Sequence, residues 1–68
     1  MSQNAQILNH LKREPLTALE ALNLFGCMRL ASRINELRYD GHTINTEWVH
    51  RNGKKFAQYH LLNKKPLE

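Results

Sequence analysis

The chain has a single cysteine, Cys27, in 68 residues. No intramolecular disulfide can frame it, which fits a reducing compartment. Proline and glycine are scarce, at two and three residues. Each therefore marks a specific stop or turn and not a loop-rich fold. Carboxylates are also few, six against ten lysines and arginines, which leaves a formal net charge of +4. No apolar run approaches the roughly 20 residues of a membrane span. No charged-then-apolar leader pattern opens the chain. The expectation is a soluble cytoplasmic protein with no membrane partner. A domain this short buries only roughly 60% of its unfolded surface. That leaves no room for both a full core and a deep catalytic cleft. No Ser/His/Asp, Cys/His or paired-carboxylate set stands out either. The reading is of a protein that is not an enzyme and carries no cofactor.

The positive charge is not spread evenly. Residues 1–28 balance Lys12 and Arg13 against Glu14 and Glu20, so all of the net +4 falls in residues 29–68. A cationic half is either a solvated surface or an electrostatic footprint for a polyanion.

Ile7, Leu8 and Leu11 make a narrow apolar stripe that predicts a first helix over residues 3–13. Pro15 ends it, because the residue before proline is pushed out of the helical region. Thr17-Ala18-Leu19-Glu20 is a capping box. It starts a second helix over 18–25, with Leu19, Leu22 and Phe25 plus Ala18 and Ala21 available for packing. Gly26 suits the left-handed stop of that helix. A third helix is predicted over 28–40, ended by Gly41.

In the third helix Leu30, Ile34 and Leu37 recur at i, i+4 and i+7 and share one face. With Leu30 at zero, Met28, Ser32, Asn35, Glu36 and Tyr39 fall between about 140° and 240° on the helical wheel. Arg29 and Arg33 flank that polar front on one side and Arg38 on the other.

After Gly41 the period becomes two. Ile44, Thr46 and Trp48 alternate with Asn45, Glu47 and Val49. Asn52-Gly53 is a strong signal for a type I′ hairpin turn. A two-residue turn pairs Arg51 with Lys54, Val49 with Phe56, Trp48 with Ala57, Thr46 with Tyr59 and Ile44 with Leu61. Ile44, Thr46, Trp48, Ala57, Tyr59 and Leu61 then share a face that is expected to close over the helices. Trp48 and Tyr59 are expected to pack there and not to stack on bases. Val49 and Phe56 sit together on the other face. Arg51, Lys54 and Lys55 surround the turn.

Three helices followed by a two-stranded antiparallel hairpin is an α+β arrangement of the winged helix-turn-helix type. Pro15-Leu16-Thr17, Glu20-Ala21-Leu22, Gly26-Cys27, Arg29-Leu30-Ala31, Arg33-Ile34, Leu37-Arg38, Gly41 and Ile44-Asn45-Thr46 together resemble small phage and prophage winged helix-turn-helix proteins. The resemblance covers roughly residues 14–60 and implies a DNA-binding fold in a bacterial host cell. One spacing departs from the commonest pattern, in which a core aliphatic follows the turn glycine by six residues. Here Leu30 follows Gly26 by four and Ile34 by eight.

A helix with a polar front fits the major groove, and flanking cations neutralise phosphates. The candidate DNA-binding residues are Met28, Arg29, Ser32, Arg33, Asn35 and Glu36 on the third helix, with Arg51, Asn52, Lys54 and Lys55 on the hairpin. Double-stranded DNA is the expected partner, with the chain acting as a transcriptional regulator or a recombination architectural factor. A protein-interaction module of the same fold is the alternative, motivated by Val49 and Phe56 as a partner or self-association patch; a homodimer is left open. His10, His42, His50 and His60 lack metal-ligand spacing, so no metal is expected. Cys27 reads as a small buried residue. Residues 1–62 are taken as the domain and 63–68 as a flexible tail, with Leu67-Glu68 set aside as an expression-vector remnant.

Overall fold

The computed structural model describes residues 2–62 of the chain; the expected tail at 63–68 lies outside them. The first helix, α1 (Gln3–Leu11), is capped by Ser2, whose hydroxyl accepts from the Ala5 N–H at 3.2 Å. It ends two residues earlier than the pattern predicts. Arg13 and Glu14 both donate their N–H to the His10 carbonyl at 2.9 Å, which closes a turn ahead of Pro15. The buried His10 ring completes that corner with Nε2 at 3.1 Å from the Pro15 carbonyl oxygen.

Leu16–Thr17 forms a short strand, β1, that the alternation pattern does not reveal. Two residues are too few to show a period. Thr17 ends β1 and also caps α2 (Ala18–Phe25), where the capping box is complete. The Thr17 hydroxyl accepts from the Glu20 N–H at 3.2 Å, and Glu20 Oε1 accepts from the Thr17 N–H at 3.0 Å. Gly26 closes α2 in the left-handed conformation, at φ 67°.

The packing of α2 departs from expectation. Ala21 is its one buried residue, and Phe25 packs partly against the core. Leu19 and Leu22 remain exposed. The reason is rotational: on a wheel with Ala21 at zero, Leu19 falls near about 160°, on the far side. An eight-residue helix has only one side against the core.

The third helix, α3 (Leu30–Tyr39), ends on Gly41. The Gly41 N–H donates to the Arg38 carbonyl at 3.0 Å and the His42 N–H to the Leu37 carbonyl at 3.1 Å. That pair of bonds defines a Schellman stop. Strands β2 (Ile44–Arg51) and β3 (Lys54–Leu61) pair antiparallel in the register read from the sequence. Asn52 and Gly53 both have positive φ, at 53° and 75°, as a type I′ turn requires. β1 adds to the other edge of β3, with Leu16 opposite Tyr59 and Thr17 opposite Gln58. The sheet is therefore three-stranded, in the order β1-β3-β2, and not the hairpin alone.

The core joins Ile7 and Leu11 of α1, Leu16 of β1, Ala21, Cys27, Leu30, Ile34 and Leu37 to Ile44 and Leu61 at the hairpin base. Ile7, Leu11, Leu16 and Ile34 are fully buried. Cys27 is buried, as expected. Trp48 is not in the core. It lies on the expected face but is 57% exposed. Eight residues of strand span about 26 Å, and the molecule is 42 Å long by 22 Å and 20 Å across. The hairpin outruns the helices, so on the Trp48 face only its base is covered.

Candidate nucleic-acid interface

The α2–α3 turn runs from Gly26 to Arg29, and α3 starts at Leu30, two residues later than predicted. This explains the unusual glycine spacing. Gly26 is the stop of α2, and three further residues complete the turn. Met28 and Arg29 are consequently turn residues, both exposed, with Met28 at 85%. Arg29 occupies the cap position of α3 but offers no side-chain cap. Arg29 instead accepts at its carbonyl oxygen from the N–H groups of Ser32 and Arg33 at 3.1 and 3.3 Å. An N-terminus without a side-chain cap, beside a guanidinium, is electrostatically suited to an anion.

Ser32 and Asn35 lie on the solvent side of α3, as the wheel places them. Tyr39 extends the same front and is 92% exposed. The helical spacing places it on that front. Ala31 and Arg38 form the flank nearest the hairpin. Ala31 lines a groove against the hairpin. Arg38 donates from Nε and Nη2 to the Ile44 carbonyl oxygen at 3.0 and 2.8 Å, and from Nη2 to Thr46 Oγ1 at 3.1 Å.

Arg33 and Glu36 turn the other way. Arg33 Nη2 donates to Glu36 Oε2 at 2.9 Å. Glu36 Oε1 accepts from Asn4 Nδ2 of α1 at 2.9 Å. The pair therefore fastens α3 to α1, and Glu36 sets much of the Arg33 charge off locally. Only a long-range contact could reveal this, since Asn4 is remote in sequence.

The cations at the hairpin tip are split between its two faces. Arg51 places its guanidinium carbon 6.0 Å from the Phe56 ring centroid. Lys54, its strand partner, shares that face. Lys55 lies on the opposite face, with Nζ 5.1 Å from the Trp48 ring centroid. Asn52 sits at the exposed turn.

Val49 and Phe56 are half-buried. With Leu19, Met28, Ala31 and Tyr59 they line a groove of about 720 Å³ between the start of α2, the α2–α3 turn and the hairpin. Arg29 and Arg51 also line it.

The histidines do not converge. His10 is buried in the α1 corner, and His60 Nε2 lies 2.7 Å from Glu47 Oε1. Among the described residues no three His, Cys, Asp or Glu side chains are placed to share a metal ion. No helix among them is long and apolar enough to cross a membrane.

A family model described as a winged helix-turn-helix domain matches residues 2–64. No curated protein and no solved structure matches the chain.

Proposed function

The chain belongs to the winged helix-turn-helix family, and from that premise we propose that it binds double-stranded DNA. The carrying observation is the exposed front of α3, Ser32, Asn35 and Tyr39, continued by Met28 and Arg29 on the turn. Short polar side chains on a helix suit base edges in the major groove. The hairpin supplies Arg51, Lys54 and Lys55 with Asn52 at its tip. These side chains are suited to flanking phosphates, which position the protein without reading sequence. Arg33 and Glu36 support the orientation of α3 from its α1 side.

The role that fits is a transcriptional regulator or an architectural factor in recombination. The proposed setting is the bacterial cytoplasm, in a phage or prophage context. That setting rests on the resemblance of residues 14–60. Titration of labelled duplex at low salt, read by anisotropy or gel shift, tests the reading. A shift at micromolar protein is expected. No shift at about 100 μM, where even non-specific binders respond, overturns it.

A second reading is favoured by the apolar groove. Leu19, Met28, Val49 and Phe56 line it together, and such a surface suits a protein partner or a second copy. Sedimentation of the wild type and of Phe56→Ser separates the two. A dimer lost in the variant favours self-association. A monomer in both leaves the groove unused by a second copy.

A further inference from the structure

We propose that Trp48 and Lys55 form a base-stacking element on the face of the hairpin that carries Ile44 and Thr46. It would take an unstacked or kinked base step beside the duplex held by α3. This deepens the DNA-binding reading and rests on it.

The placement follows from the register. Ile44, Thr46, Trp48 and His50 share one face of β2, and their partners Leu61, Tyr59, Ala57 and Lys55 share the same face of β3. Arg38 of α3 donates to the Thr46 hydroxyl on that face. Trp48 is two residues farther toward the turn, about 7 Å along the strand. The indole therefore stands on the Thr46 side of the hairpin, nearer the turn than the Ile44 and Leu61 base that joins the core, and it is exposed.

The chemistry of this face selects the ligand. Its one large exposed ring is the indole of Trp48, and Lys55 Nζ lies 5.1 Å from the ring centroid. No carboxylate belongs to the face. The one acidic residue of β2, Glu47, points to the other side and pairs with His60. An exposed aromatic with a cation over its ring, on a strand face that carries no carboxylate, matches a polyanion that carries flat apolar rings. Nucleic acid is such a ligand. Stacking supplies sequence-tolerant affinity, and an apolar wedge beside a duplex favours sites where a step is already unstacked. A protein partner would meet Lys55 and, on this face, one large exposed apolar side chain, Trp48.

Trp48 is the single tryptophan, so its emission reports this site alone. Three labelled probes separate the outcomes: a fully paired duplex, the same duplex with one unpaired adenine, and the single strand. Anisotropy reads binding, and indole emission reads contact. Quenching on saturation is expected, with tighter binding of the bulged duplex than of the paired one. Trp48→Ala is expected to weaken the bulged complex by about tenfold and to remove the preference. Trp48→Phe should retain most of it. The wild-type emission needs no variant, so the test survives a poorly folded one. Saturating DNA that leaves emission unchanged overturns the proposal while DNA binding stands. Equal binding of all probes by wild type and Trp48→Ala does the same. An emission shift on raising protein concentration alone overturns it in favour of a self-association surface. No anisotropy change with any probe removes the DNA reading itself, and this proposal with it.

Discussion

Arg38 of α3 donates two hydrogen bonds to the carbonyl oxygen of Ile44, from Nε at 3.0 Å and from Nη2 at 2.8 Å. Ile44 opens β2, so this single side chain ties α3 to the start of the hairpin. A planar fork suits this contact, and an ammonium cannot reproduce it.

Arg38→Ala is expected to destabilise the fold by about 1–2 kcal/mol, the range for hydrogen bonds from a charged donor after allowance for exposure. Arg38→Lys should recover less than half of that. The urea midpoint at constant slope measures both. An unchanged midpoint in Arg38→Ala would show that α3 is tied to the hairpin elsewhere.

The Thr17–Glu20 box satisfies two N–H groups at the start of α2. Thr17→Ala should cost about 1 kcal/mol. Glu20→Ala should cost less, and the double variant less than their sum, because one motif is being removed. Thermal melts of the four proteins complete the cycle.

Gly53 has φ +75° with open space around it. Gly53→Ala meets no clash there, so its cost is the backbone term alone, about 1–2 kcal/mol. The same substitution should weaken DNA binding through the displaced tip. Melting and duplex titration of the variant check the two effects side by side.

Arg51→Ala with Lys54→Ala removes two exposed cations from one hairpin face. Affinity should fall by a similar factor on every duplex, and the slope of log K against log salt should drop by roughly 2. Lys12→Ala with Arg13→Ala, in the turn after α1, should leave both nearly unchanged. Equal losses in the two pairs would contradict the proposed surface.

Ser32→Ala with Asn35→Ala should act differently. Its expected signature is a relaxed sequence preference, read by selection from a random duplex pool, with the salt slope retained. A pool that is unselective already with the wild type would remove any base-reading role from α3.

The elements legible in the sequence were those whose cause is local. The capping box spans four residues, and the Asn52-Gly53 turn sets the β2–β3 register by itself. Their hydrogen bonds are made with near neighbours, so spacing suffices to find them. Strand β1 escaped because two residues carry no period, and its reason for being extended is the distant edge of β3. Alternation places Trp48 on the correct face, but it says nothing about height above the core.

For the candidate interface, the helical period alone determined that Ser32, Asn35 and Tyr39 face away from Leu30, Ile34 and Leu37. The basic half and the cationic turn were likewise visible in residue order. Tertiary structure alone decided which of these charges are met within the chain. Arg33 and Glu36 are drawn to α1 by Asn4, 32 residues away from Glu36. Arg38 is drawn to the start of β2. Lys55 lies over an indole that the helices leave uncovered. A wheel or a register orders residues along one element. Which face meets another element, and how far a strand outruns its cover, depends on contacts that close only when the chain folds.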